Sequence, residues 1–392
     1  MSGRTSQIIP LNLPIRQRSR LERCGNPLRP FPGSGIFGAS MNRVRSIIAC
    51  AAALRLFATA ATAAAEPSAV PSGATNAPHA RVVVVHDAAA TTAFAPDTQV
   101  VRRMVDKGLI AFAGKPDTAA AWHTLVTAKD TVGFKVTAAP GAVSGTRPAT
   151  VQALVESLIA AGHPANQIVI WDKRSLDLRA GGWTQLAKRL GVRCVASEDA
   201  GWDETKFYDS PLIGRLVAGD LEFGRKEEDH SGRKSYVTRL LTHDLTKIIT
   251  VAPVLSHNVS AVNGHLAGLA WASVDNTIRF ANDPARMAES VPDICALDDV
   301  MPRLVLAVSD ALVCQYRGEE LTLLHYTIPL NELRFSKDPV ALDVLALADV
   351  ERAREAAKVE GEKKMKTDLY SNAELIELGV ADLQRIDVTR VP

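Results

Sequence analysis

The sequence predicts an α/β fold: a mostly parallel β-sheet with helices on both faces. Short continuous apolar runs, RVVVVH at 81–86, VGFKV at 132–136, KIITVAPV at 247–254 and LVLAV at 304–308, read as strands covered on two sides. Helical segments of i, i+3, i+4 periodicity separate several of these runs. Residues 131–172 also form one complete strand–loop–helix–strand unit. With 47% apolar residues the chain can bury a full core.

The elements follow in order. Arg81–His86 is the first strand. Asp97 caps a helix running to about Gly114. Val132–Val136 is the second strand, followed by a Gly/Pro/Ser loop. The next helix has Thr146 at its N-cap and Pro148 in its first turn, with apolar positions Val151, Leu154, Val155, Leu158 and Ile159 and a stop at Gly162. Ile168–Ile170 is a strand ending at Trp171-Asp172. A helix over roughly 174–190 leads to a strand at Val192–Ala196. Residues 200–240 carry many charges of both signs and read as a surface loop or small hairpin. Lys247–Val254 and Leu304–Val308 are further strands. Residues 349–366 read as a charged, solvated helix.

The formal charge of +2 comes from the N-terminal segment. Residues 1–65 hold nine arginines and one acid, Glu22, which leaves 36 basic against 42 acidic residues in the rest. Such a chain has no electrostatic footprint for nucleic acid. Residues 1–40 read as an unfolded leader or a start placed too early. Residues 41–65, with Arg43 and Arg45 before a short apolar run and Ala63-Ala64-Ala65 at its end, read as a signal peptide. Export would follow the general secretory route, since the leader has no adjacent arginine pair. The apolar run is too short to span a bilayer, which takes roughly 20 residues. Residues 66–80 are a linker, and 81–392 a single α/β domain with a charged helical tail after about 355. Past the leader only Cys194, Cys295 and Cys314 remain, too few for an iron–sulfur cluster built on four thiolates. No other cofactor is identified by a motif.

Open α/β sheets bind ligands at the carboxyl ends of their strands, so the polar residues there are the candidates. Lys135 lies in an apolar run and must find a partner or an edge. Asp172 ends the next strand, and Lys173 and Arg174 beside it offer a salt bridge. The loop up to Thr146 presents backbone N–H groups to an anion or is simply a tight turn. His257, Asn258, Asn263 and His265 cluster after the 247–254 strand; imidazoles serve as acid–base groups or metal ligands. The eight-residue spacing of His257 and His265 fixes no metal geometry. Asp310 ends the 304–308 strand. Asp338 before Pro339 is a helix cap or a ligand contact.

The ordered set VGFKV (132–136), TRP (146–148), IVIWD (168–172), PVLSHN (253–258), VSDAL (308–312) and KDPVALD (337–343) resembles the domain of unknown function 362 family (DUF362) over roughly 81–355. The resemblance implies an α/β protein without a settled reaction; some members carry ferredoxin segments, and others, like this chain, are exported without them. Two cationic positions of the family pattern are replaced here by the Leu255-Ser256-His257 and Ala267-Gly268 segments. The expectation is an exported, oxidoreductase-like enzyme acting on a small molecule through His257, Lys135, Asp172 and Asp310, with an external redox partner. Two alternatives stay open: a non-catalytic periplasmic binding protein, and a metal-dependent hydrolase or isomerase using His257 and His265.

Overall fold

A computed structural model describes residues 78–209, 234–319, 321–359 and 365–391. The leader, the signal-peptide segment and nearly all of the linker lie outside the described residues. The strands are β1 (Ala80–His86), β2 (Thr91–Thr92), β3 (Ala95–Pro96), β4 (Val132–Val136), β5 (Ile168–Asp172), β6 (Arg193–Ala196), β7 (Trp202–Asp209), β8 (Lys234–Thr238), β9 (Lys247–His257), β10 (Ala261–Val262), β11 (Leu304–Gln315), β12 (Thr327–Ser336) and β13 (Ile386–Val391). The main sheet has the order β13-β1-β12-β11-β9-β4-β5-β6, with β10 paired to β9. All its ladders along that path are parallel except those of β12, which runs antiparallel to β1 and β11. The α/β class with a mostly parallel sheet is therefore what the chain adopts.

Two apolar cores lie on opposite faces of this sheet. Val83, Phe134, Ile170, Val251 and Val308 belong to one; Val84, Trp171, Ile248 and Ala307 belong to the other. This double burial is why the strands read as unbroken apolar runs. Lys135 sits between Phe134 and Val136 and so points to the opposite face, which the buried helix His265–Ser273 covers.

The expected first helix is Thr98–Ala113, with the Asp97 carboxylate accepting from the N–H groups of Gln99 and Val100 and Gly114 left-handed. Elsewhere the boundaries moved. β9 and β11 run on to His257 and Gln315, because flanking strands keep pairing with them. The 174–190 segment is two helices, Ser175–Ala180 and Trp183–Leu190, broken where Gly182 takes φ 77°. The 200–240 segment contributes the antiparallel arms β7 and β8; residues 210–233 lie outside the described residues. The charged C-terminal helix starts earlier, as Pro339–Ala356, and buries Asp349, Val350 and Ala353. Its charged residues Arg352 and Glu355, and Lys358 just beyond its end, are exposed, as a solvated face would have them. The chain end returns as β13 beside β1.

Strand order positions the site. From β4 the chain moves outward through β5 and β6, then returns to the other side of β4 as β9 and proceeds to β11. The connections after β4 and β9 leave in opposite directions, which opens a crevice at the carboxyl edge between them.

Candidate functional site

A cleft of about 690 Å³, continuous with solvent, occupies that crevice and is lined by Lys135, Thr137, Asp172, Lys173, His257, Asn263 and Gly268, among others.

Lys135 is 3% exposed. Its Nζ lies 3.4 Å from Asp172 Oδ1 and makes no hydrogen bond among the described residues. An ammonium has three donors, so most of its capacity is unused. Asp172 is held rigidly: Oδ2 accepts from the Ala138 N–H at 2.8 Å and Oδ1 from the Lys173 N–H at 2.8 Å. Next to Lys135, the buried Thr137 Oγ1 has no hydrogen-bond partner among the described residues. Gly268, in the covering helix, faces both groups. A β-carbon there would stand 3.0 Å from Lys135 Nζ and 3.7 Å from Thr137 Oγ1. The missing side chain thus leaves a space bordered by a cation and a free hydroxyl.

His257 ends β9, and its Nδ1 accepts from the N–H groups of Val259 (3.3 Å) and Ser260 (3.2 Å). The Ser260 hydroxyl, 3.0 Å from the same nitrogen, donates to Val262 O at 2.8 Å. With Nδ1 an acceptor, the hydrogen resides on Nε2. Burial lowers the pKa, against a smaller raising effect of Glu319, so this is a neutral imidazole. Lys173 donates through Nζ to Asp275 O (2.8 Å) and Thr277 Oγ1 (3.0 Å). Burial pulls its pKa down to about 7; the Asp275 charge opposes the shift and Arg174 adds to it.

The structure brings Lys135, Asp172, His257 and Asn263 together. The other expected site residues lie elsewhere. Asp310 is in mid-strand, fully buried, and pairs with Arg147: Oδ1 accepts from Nη1 at 3.1 Å and Oδ2 from the Arg147 N–H at 2.8 Å. It is thus a packing partner for the segment that opens helix Pro148–Ala160. Thr146 is not the N-cap of that helix, which is Arg147. Its hydroxyl donates to Val251 O and accepts from the Thr137 N–H, tying the loop to the sheet. Asn258 is exposed, with its N–H on Glu319 Oε1. Asp338 caps helix Pro339–Ala356 through the Ala341 N–H and also accepts from Val380.

His265 is buried outside the cleft lining. Its ring nitrogens meet Thr250 Oγ1 (3.3 Å) and Ser309 Oγ (3.0 Å), and burial together with Lys135 pushes its pKa down to about 3. Both nitrogens are engaged, so His257 and His265 do not form a ligand pair. Among the described residues no group of three or more His, Cys, Asp or Glu is arranged to hold a metal. Sequence reasoning passed over Thr137, Lys173 and Gly268 as site groups. The local signals were the placement of Thr137 and Lys173 immediately after strand ends and the departure of Ala267-Gly268 from the family pattern, which gave no role to the glycine itself.

No protein-family model matches the chain, and no curated protein matches it. A solved Thermotoga maritima protein from a structural genomics programme is similar at 14% identity, with a TM-score of 0.37, covering 67% of this chain and 59% of that one.

Proposed function

We propose that this chain binds a small anionic molecule at the carboxyl edge of the sheet and acts on it by proton transfer. The observation that carries this reading is the nearly buried Lys135 ammonium, which has one ion-pair contact at 3.4 Å and faces open space beside the unpartnered Thr137 hydroxyl. A carboxylate over Gly268 would accept from both. A neutral imidazole at His257 and an amine at Lys173, whose pKa burial pulls down to about 7, stand on the rim as candidate proton-transfer groups. They favour an enzyme over a passive binding protein.

The resemblance to the domain of unknown function 362 family, with its ferredoxin-linked members, adds redox chemistry with an external electron partner as the reaction class of interest. Export through residues 41–65 belongs to the same reading. Calorimetric titration with a carboxylate panel tests the core of it. Binding of at least one member, weakened about 10- to 100-fold in Lys135→Gln, is expected. Equal binding by wild type and variant, or none across the panel, overturns it. Binding without turnover would make the protein a binding module.

A further inference from the structure

Lys173 is the group in the cleft whose surroundings go beyond anion binding. Its Nζ makes two hydrogen bonds, to Asp275 O and Thr277 Oγ1, both with the side chain as donor. These two contacts occupy two of the three positions around the nitrogen and leave the third, a lone pair when the amine is neutral, uncommitted among the described residues. The charged groups around it are Asp172, Arg174, Asp275 and Glu198, and Asp172 is already committed to the N–H groups of Ala138 and Lys173 and to Lys135. Among the described residues no carboxylate oxygen takes a hydrogen bond from Lys173 Nζ.

We propose that Lys173 Nζ is a nucleophile that forms an imine with a small 2-oxo carboxylate whose carboxylate sits on Lys135 and Thr137. This rests on the anion-binding reading above and adds the substrate class. The amine lone pair forms a C–N bond to the carbonyl carbon while the C=O π pair moves to oxygen. The proton lost from nitrogen goes to that oxygen, giving a carbinolamine. A further proton from solvent lets the C–O bond break with loss of water, and the nitrogen lone pair closes the C=N bond. Burial supports the step, because it pulls the pKa down to about 7, so that a large fraction of the amine is neutral near pH 7, where an ordinary lysine is charged.

The test is borohydride reduction of the purified protein with glyoxylate, pyruvate or 2-oxoglutarate, followed by peptide mass mapping. Hydride addition to the imine carbon leaves a stable secondary amine. The expected result is one adduct, at Lys173, formed about tenfold or more faster at pH 8 than at pH 5.5. Lys173→Arg abolishes it while oxalate binding persists, and Lys135→Gln lowers its yield. If no adduct forms at Lys173 with any of the three, or labelling spreads evenly over surface lysines, the imine proposal fails. Lys135-dependent oxalate binding in that same protein would leave the anion-binding reading standing; its absence as well would remove both.

Discussion

At the scale of single residues, Lys135 and Asp310 look alike in sequence. Each is one charge inside an apolar strand. Their environments differ in how completely they are paired. Asp310 is satisfied by Arg147, itself 1% exposed, through side chain and backbone, whereas Lys135 retains unused donors toward the cleft. Removing one member of a buried pair strands the other. Asp310→Ala is therefore expected to cost about 3–5 kcal/mol, seen as a lower urea midpoint, with binding at the cleft unchanged in the protein that remains folded. Lys173 gives a second expectation. Its acylation by an amine-reactive reagent, followed by peptide mapping, should show a midpoint at about pH 7; surface lysines should follow the ordinary value near ~10.4. A Lys173 midpoint with the surface group would mean the amine is hydrated and the cleft wet.

At the scale of elements, the buried helix His265–Ser273 contributes an absence. Gly268→Ala replaces a poor helix former with the best one, and the new methyl would crowd the flexible tip of Lys135 at 3.0 Å and reach ordinary contact with Thr137 Oγ1 at 3.7 Å. Stability should hold or rise by up to about 1 kcal/mol while anion affinity drops about tenfold, read by thermal unfolding and calorimetry on the same sample. Unchanged affinity would show that the space over Gly268 is not the binding position. Asp338 is the contrasting case. Its carboxylate accepts from Ala341 and from Val380, joining a helix start to the segment that leads into β13. Asp338→Ala should cost about 1–2 kcal/mol, measured by chemical denaturation, without touching the cleft. Caps such as Asp97 and Asp338 were legible because a cap interacts with residues two or three positions away. The break at Gly182 was not, because either glycine of the pair at 181–182 could have been tolerated within a helix.

At the scale of the whole molecule, two buried groups oppose one another in the pH dependence of stability. His265 has a folded pKa of about 3 against an unfolded value near ~6.5. Its contribution is complete above about 6.5 and is lost as pH falls toward 3, because the unfolded chain takes up the proton first. Asp343 is the reverse. Burial raises it to about 7, although it accepts from the N–H groups of His265 and Leu266. Its contribution is complete below its unfolded value near ~3.9 and is lost as pH rises toward 7. Between about pH 4 and 6.5 the two slopes cancel. In His265→Gln only the Asp343 slope remains, so the variant should gain on wild type by about 1.4 kcal/mol per pH unit as pH falls through that window. Parallel stability curves for the two proteins would contradict this assignment.

By itself the sequence determined the α/β class, most of the strands, and the edge of the sheet where polar groups collect. Those features are written in periodicity, double-sided apolar runs and caps, each spanning a few neighbouring residues. Strand order, the reversed β12, the return of the chain as β13, and how completely each buried charge is paired were decided only by the tertiary structure. They depend on groups far apart in the chain, such as Arg147 with Asp310 or Gly268 with Lys135. No local pattern records whether a buried charge has met its partner or still faces an opening.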